Sequence, residues 1–322
     1  MSHLSGASDL NELLLRRAER LCGDLPIQSA FERVRQIIGL TTFPRGEELA
    51  ATAMAKLRKG QLPSPVERTA LENVIKALRP SILSQNGELS VLPDYRNYPP
   101  DFVNGWNGFR TLVKPYLYSI GRIDRVNKPS NEALATGFII GKRAMVTNRH
   151  VLAALSADTL TLEHGQAVVC FGQEWGTPEA SEPVAITGVL AVHPLLDIAV
   201  LEIESTTSTP LAIASAAPPL ETQVVVIGYP QEDPRSPVFR DMIFERKYKV
   251  KRAAPGEITG AAAASLYHDC STLGGNSGSP VLAMDTAQVV GLHRDGPLFL
   301  YRNEAVDTPS LYDFVRTYSR RE

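Results

Sequence analysis

Beyond Val113 the chain is written as a long series of short β-like stretches separated by turn residues, and no other feature narrows its fold so far. The stretches 116–123, 135–140, 143–147, 159–162, 168–171, 184–192, 198–203, 224–227, 242–251, 256–259, 280–284, 288–292 and 298–302 are bounded by turn-forming residues. Strands this short bury their apolar faces only when sheets pack face to face or close on themselves. An all-β sandwich or barrel is therefore expected over residues 112–322. A helical spacing returns at 310–320 and reads as a closing helix.

The first 80 residues have a different period. Asp9 and Glu12 suit a capping arrangement around Leu10, Leu14, Ala18 and Leu21, which share one helical face. Pro26 opens a second helix carrying Ile27, Phe31, Val34 and Ile38, and Gly39 stops it. A third spans 47–59, with Leu49, Ala53 and Leu57 on its apolar side. Ser64, Pro65 and Glu67 form a capping box and proline start for a fourth, which Pro80 ends. Residues 1–80 thus predict a small all-α bundle, an adaptor or regulatory domain through which a protein partner would act. Residues 81–111 contain N-Y-P-P-D and N-G-W-N-G and read as a linker, with Trp106 and Phe109 packed against one of the domains.

The stretch from Thr272 to Pro280, T-L-G-G-N-S-G-S-P, sets Ser277 among small residues. That pattern suits an exposed hydroxyl nucleophile whose neighbouring backbone N–H groups point inward together. Such a serine needs a histidine base and a carboxylate that fixes the imidazole tautomer. His150 ends the run A-M-V-T-N-R-H, and Asp197 opens D-I-A-V-L-E-I. His150, Asp197 and Ser277 follow one of the chain orders that build an acyl-transfer triad.

Together, T-N-R-H-V, L-D-I-A-V-L and G-N-S-G-S-P resemble the chymotrypsin-like (trypsin-fold) serine peptidases over about residues 112–318. Within them the likeness is to bacterial glutamyl endopeptidases and to the peptidase domain of the HtrA group. The resemblance implies two packed six-stranded barrels with the site in the crevice between them. It implies Ser277 as nucleophile, His150 as base and Asp197 as its partner, acting on a protein or peptide substrate. It further implies an oxyanion hole of backbone N–H groups from Gly275 and Ser277, with Asn276 shaping the turn. Thr272 and the His293 of V-V-G-L-H match positions that bind an acidic P1 side chain, where Arg294 would add positive potential if it turns inward. Family members activated by cleavage carry an aspartate at the Asn276 position. Asn276 cannot pair with a new N-terminal amine, so control is expected through the helical domain, through surface loops, or not at all. The segment 229–240 corresponds to a loop bordering the cleft. Small helical segments ahead of such domains are similar in architecture to the effector-associated modules of bacterial conflict and signalling systems. No PDZ-like tail of the quality-control relatives is expected after the closing helix. The alternative function is a catalytically idle peptidase fold used as a scaffold or binding protein, which the complete triad and turn weigh against.

A formal net charge of -2 recruits neither nucleic acid nor an anionic membrane, and Arg246, Lys247, Lys249, Lys251 and Arg252 are expected on a solvated face. The beginning M-S-H-L-S-G-A-S-D-L has no signal-like apolar core, and no run approaches the ~18 apolar residues of a membrane span. Cys22, Cys170 and Cys270 are far apart and fit a reducing compartment, so a cytoplasmic location is expected. Cys270 reads as a small buried hydrophobe. His3, His164, His193 and His268 lack metal-site spacing, and no metal or cofactor is expected.

Overall fold

The structure, a computed structural model, describes residues 7–22, 29, 46–93, 98–127, 130–176, 182–232, 243–294 and 303–319. It begins with helices α1 (Ala7–Cys22), α2 (Gly46–Arg58) and α3 (Pro65–Leu78). The capping box at the start of α3 is made atom by atom. Ser64 N donates to Glu67 Oε2 at 2.7 Å and Glu67 N to Ser64 Oγ at 3.3 Å, a reciprocal cap worth about 1 kcal/mol. Leu14, Ala18 and Leu21 of α1 meet Ala53, Met54 and Leu57 of α2 and Leu71 and Ile75 of α3 in one cluster. The helices do not close this cluster alone, because Ile243 and Phe244 from far along the chain complete it. The helix expected at 26–39 lies outside the described residues apart from Ser29, and α1 begins at Ala7, so Asp9 sits within its first turn instead of capping it.

Residues 81–111, expected as a linker, are built into the body of the molecule. They form β1 (Ile82–Gln85), β2 (Glu88–Leu89) and most of α4 (Pro100–Val113). Asn86 and Gly87, with φ of 53° and 73°, turn β1 into β2, the behaviour an Asn-Gly pair favours between antiparallel strands. Trp106 and Phe109 of α4 are fully buried among residues of both barrels, and Trp106 Nε1 donates to Ser90 O at 3.2 Å.

The first barrel holds β3 (Ile120–Arg125), β4 (Glu132–Gly141), β5 (Ala144–Thr147), β6 (Ala167–Cys170), β7 (Val184–Val192) and β8 (Ala199–Ile203). It closes in the order β3-β4-β5-β8-β7-β6, with helix α5 (Arg149–Leu155) after β5. The second holds β9 (Gln223–Gly228), β10 (Arg252–Ala262), β11 (Ser265–His268), β12 (Pro280–Ala283), β13 (Val289–Arg294) and β14 (Asn303–Asp307). It runs β11-β14-β13-β12-β9-β10 and closes through a β10–β11 pairing. These are the two six-stranded barrels that the resemblance implies. β1 adds to the second by pairing Ile82 with Ala253 of β10. Strand β9 shows why its sequence is apolar throughout rather than alternating. Val224 and Val226 enter the barrel core, while Val225 and Ile227 face the cluster shared with the other barrel and α4. Helix α6 (Thr308–Val315) closes the chain from an Asp307 cap, whose Oδ1 accepts Ser310 N at 3.0 Å.

Several expected strands change. Residues 114–119 form a 3-10 helix before β3 begins at Ile120. The stretch 159–162 is irregular, with Leu160 at φ 56°. The described part of 242–251 is a helical turn and bend, because Ile243 and Phe244 are drawn into the helical cluster. β11 and β14 add to the expected set, and 298–302 lies outside the described residues. The basic cluster is split. Arg246 and Lys249 are solvated, but Lys251 and Arg252 are buried. Lys251 Nζ donates to Leu117 O and to Phe171 O at 2.8 Å, and burial brings its pKa down to about 7. Arg252 Nε donates to Ser81 Oγ at 3.0 Å and its Nη1 to Phe244 O at 3.2 Å. Both side chains serve as struts whose N–H donors satisfy buried carbonyls where connecting segments meet the barrels.

Candidate active site

The first half of the site is assembled by the turn between β5 and α5. Asn148 leads into α5 and donates through Nδ2 to Asp197 O at 3.0 Å, while Arg149 Nη1 reaches Pro194 O at 2.6 Å. These two bonds fix the T-N-R-H turn against the segment entering β8. They bring His150 and Asp197 together. His150 N donates to Asp197 Oδ1 at 2.9 Å, and Nδ1 meets Oδ2 at 2.7 Å. With Nδ1 donating, Nε2 carries the lone pair that a general base needs.

Burial alone would raise the Asp197 carboxyl, but the hydrogen bonds and charge of His150, with help from Arg294, outweigh it and hold its pKa below the usual 3.8. The unfolded chain therefore takes up this proton first as pH falls. Stability contributed by the pair is fully present above pH 3.8 and is lost as pH falls through the lower folded value. Thermal unfolding followed from pH 7 into acid should show this loss in the wild type, and a shallower loss in Asp197→Asn.

The second half lies between Thr272 and Ser279. Gly275 and Gly278 adopt φ of 87° and 85°, so the chain doubles back on either side of Ser277. Around Ser277 the N–H groups of Asn276, Gly278 and Ser279 donate to Leu273 O, His293 O and Asn276 O at 3.1, 2.9 and 2.9 Å. Among the described residues, those of Gly275 and Ser277 donate to no protein acceptor. Two N–H groups in a hydrogen-bonded turn and left without an internal partner are able to receive an anionic oxygen. Asn276 Nδ2 folds back onto Leu273 O at 3.2 Å, so the turn is closed by a neutral amide and needs no ion pair. Ser277 is half-buried, and its Oγ makes no hydrogen bond among the described residues.

A residue that the motifs do not reveal holds this turn in place. Thr136 of β4 accepts Tyr229 N at 3.1 Å on Oγ1, donates that hydroxyl to Gly275 O at 2.7 Å, and donates its N–H to Ser277 O at 2.9 Å. Its own carbonyl accepts Thr147 Oγ1 at 2.8 Å. The sequence hint is slight, a lone hydroxyl in the apolar run A-T-G-F-I-I.

Thr272 and His293 are both buried. Thr272 stands in the strip before the turn, and His293, on β13, exchanges backbone bonds of 2.9 Å with Gly278 and Ser279. Its Nδ1 meets His268 Nε2 at 3.1 Å, so a second buried imidazole sets its ring orientation. Arg294 does not supply the positive charge expected of it in the pocket. Its guanidinium is bound by Glu304 and by Ser265 Oγ at 2.9 Å. Cys270 is wholly buried in the core of the second barrel, where burial pushes its thiol pKa far up. The described part of 229–240 reaches Glu232 only, so the rest of that loop lies outside the described residues.

A profile of the trypsin-like peptidase domain matches residues 135–292, the span from β4 to β13 that contains His150, Asp197 and Ser277. The chain carries a trypsin-like peptidase domain. It is 26% identical over 179 residues to the glutamyl endopeptidase of Staphylococcus aureus strain MW2, covering 53% of this chain and 50% of that protein. With the strain N315 enzyme it is 26% identical over 264 residues, covering 80% and 65%. The chain thus spans about half the length of the first of these relatives. Among solved structures, a Glu endopeptidase in complex with MPD aligns at a TM-score of 0.49 and 20% identity, over 65% of this chain and 93% of that one. The serine endoprotease from Yersinia pestis aligns at 0.48 and 18% identity, over 66% of each.

Proposed function

We propose that this chain is a serine endopeptidase that cleaves proteins or peptides through an acyl-enzyme. The observation that carries the reading is the pairing of an oriented His150–Asp197 couple with a turn whose Gly275 and Ser277 N–H groups await an acceptor. Ser277 Oγ attacks the scissile carbonyl carbon as its proton passes to His150 Nε2, and Asp197 stabilises the imidazolium. The carbonyl oxygen becomes an oxyanion held by the two N–H groups, each worth roughly 3–4 kcal/mol in the transition state. His150 then gives its proton to the leaving amine, and water, deprotonated by the same imidazole, releases the acyl group.

An acidic P1 side chain is the preferred partner in this reading. Support comes from Thr272 beside the turn, from His293 oriented by His268, and from the glutamyl endopeptidases among the relatives. Arg294 is engaged elsewhere, so the hydroxyl and imidazole carry that recognition themselves. The helical segment regulates or recruits the peptidase, and its architecture favours a bacterial defence or signalling setting. A cytoplasmic location fits three buried cysteines that form no disulfide among the described residues.

The test is digestion of a mixed peptide library by the purified chain and by Ser277→Ala, with the new ends read by mass spectrometry. Serine-dependent cuts after Glu or Asp are expected. Thr272→Val should then lower kcat/KM on Glu-containing peptides by about 10-fold or more, the effect of one lost hydrogen bond to a charged group, and spare other cuts. Cuts that depend on Ser277 but ignore P1 charge would discard the pocket and keep the enzyme. Absence of any serine-dependent cut would favour the scaffold.

A further inference from the structure

The strip that runs into the nucleophile turn is held from outside its barrel, by the N-terminal helices. Asp269, 1% exposed, receives Arg79 Nη2 at 2.8 Å and Arg17 Nη2 and Nε at 2.9 and 3.1 Å, while its other oxygen accepts Glu257 N at 2.8 Å. Arg79, just past α3 and 4% exposed, also binds Glu257, and its carbonyl accepts Ser271 Oγ at 3.0 Å. Leu273 packs on the helical cluster, and Gly274 O is taken by Gln231 N at 2.7 Å. Thr272 therefore stands between two residues that the helical segment holds. Ion pairs this deeply buried cannot be exchanged for water at low cost, so they transmit position more firmly than surface pairs do.

We propose that Arg79 is a positioning residue of the peptidase, fixing Thr272 by clamping Asp269 and Ser271 to the helices. Substrate recognition is then set by a segment that contributes no group to the triad. A partner that shifts α1 or α3 would reach the site by this route. The inference rests on the serine-peptidase reading for its kinetic consequence, but its structural content can be tested without turnover.

The experiment uses the full chain with Arg79→Met and Arg79→Lys. Backbone hydrogen exchange is measured at 270–275, in α2 and in β5, and the variants are assayed on a Glu-containing peptide and with a small fluorophosphonate. In Arg79→Met, exchange at 270–275 should quicken about 10-fold with α2 and β5 unchanged. kcat/KM should fall by about 10-fold or more, chiefly through KM, while fluorophosphonate labelling stays within about twofold. Arg79→Lys should restore part of both. Unchanged exchange at 270–275 overturns the proposal, as does loss of protection spread evenly over helices and barrels, which would make Arg79 mere structural cement. If Arg79→Met does not fold, Ser271→Ala removes the bond to the Arg79 carbonyl and should move both readouts the same way by about threefold; no movement overturns the proposal. A wild type that neither labels nor cleaves would refute the serine-peptidase reading, and the exchange result would still decide the role of Arg79.

Discussion

Ser277→Ala is expected to remove peptide hydrolysis by about 10⁴-fold or more while leaving the fold intact. The two halves of this expectation rest on different observations. Catalytically, on the proposed reading Ser277 Oγ is the nucleophile that His150 deprotonates, and alanine offers no hydroxyl in its place. The oxyanion receptor survives the change, so a residual rate through direct attack by water should remain above background. Structurally, the half-buried Ser277 side chain makes no hydrogen bond among the described residues, and its backbone bond from Thr136 N does not involve Oγ. The cost to stability should stay within about 0.5 kcal/mol. Steady-state kinetics and thermal unfolding on the same preparation check both halves. Hydrolysis undiminished in the variant would mean that the nucleophile lies elsewhere.

Gly278→Ala is expected to destabilise the chain by roughly 3 kcal/mol or more, although it adds one methyl group. At φ 85° an L-residue is already strained, and the added Cβ would lie 2.0 Å from Thr136 O and 2.4 Å from Thr147 Oγ1. One of these is backbone in the middle of β4 and the other is its hydrogen-bond partner, so neither can swing aside cheaply. The turn would have to lift off the first barrel and would lose the Thr136 contacts to Gly275 and Ser277. Differential scanning calorimetry should show a fall in Tm of about 4–5 °C or more, and activity should drop even in the folded fraction. A Tm within a degree of the wild type would show that the turn tolerates rearrangement and that Thr136 does not hold it.

Local chemistry was the most legible part of the sequence. The Ser64–Glu67 cap and the His150–Asp197 couple each depend on a few residue types at set spacing, and both appear as hydrogen bonds. Residues whose meaning depends on distant partners were not legible. Arg17, Arg79, Lys251 and Arg252 look like surface charges in the linear chain, and become interior because carboxylates and carbonyls from remote segments converge on them. β14, N-E-A-V-D, is too short and polar to show a period, and is recruited by pairing with β11 and β13. The β1–β2 hairpin did leave a mark, the Asn-Gly pair, but its first strand needs β10 as a neighbour before it is worth forming.

That first strand has a bearing on how the molecule could be taken apart. β1 precedes the exposed Val91 in the chain, yet it is stitched to β10 of the second barrel, with Arg252 fastened to Ser81 beside it. A protease that nicked the backbone near Val91 would therefore cut the covalent path between helices and barrels without freeing either. The product would be a two-chain molecule held by a shared sheet and buried ion pairs, and scission there would be a poor way to release the peptidase from its helices.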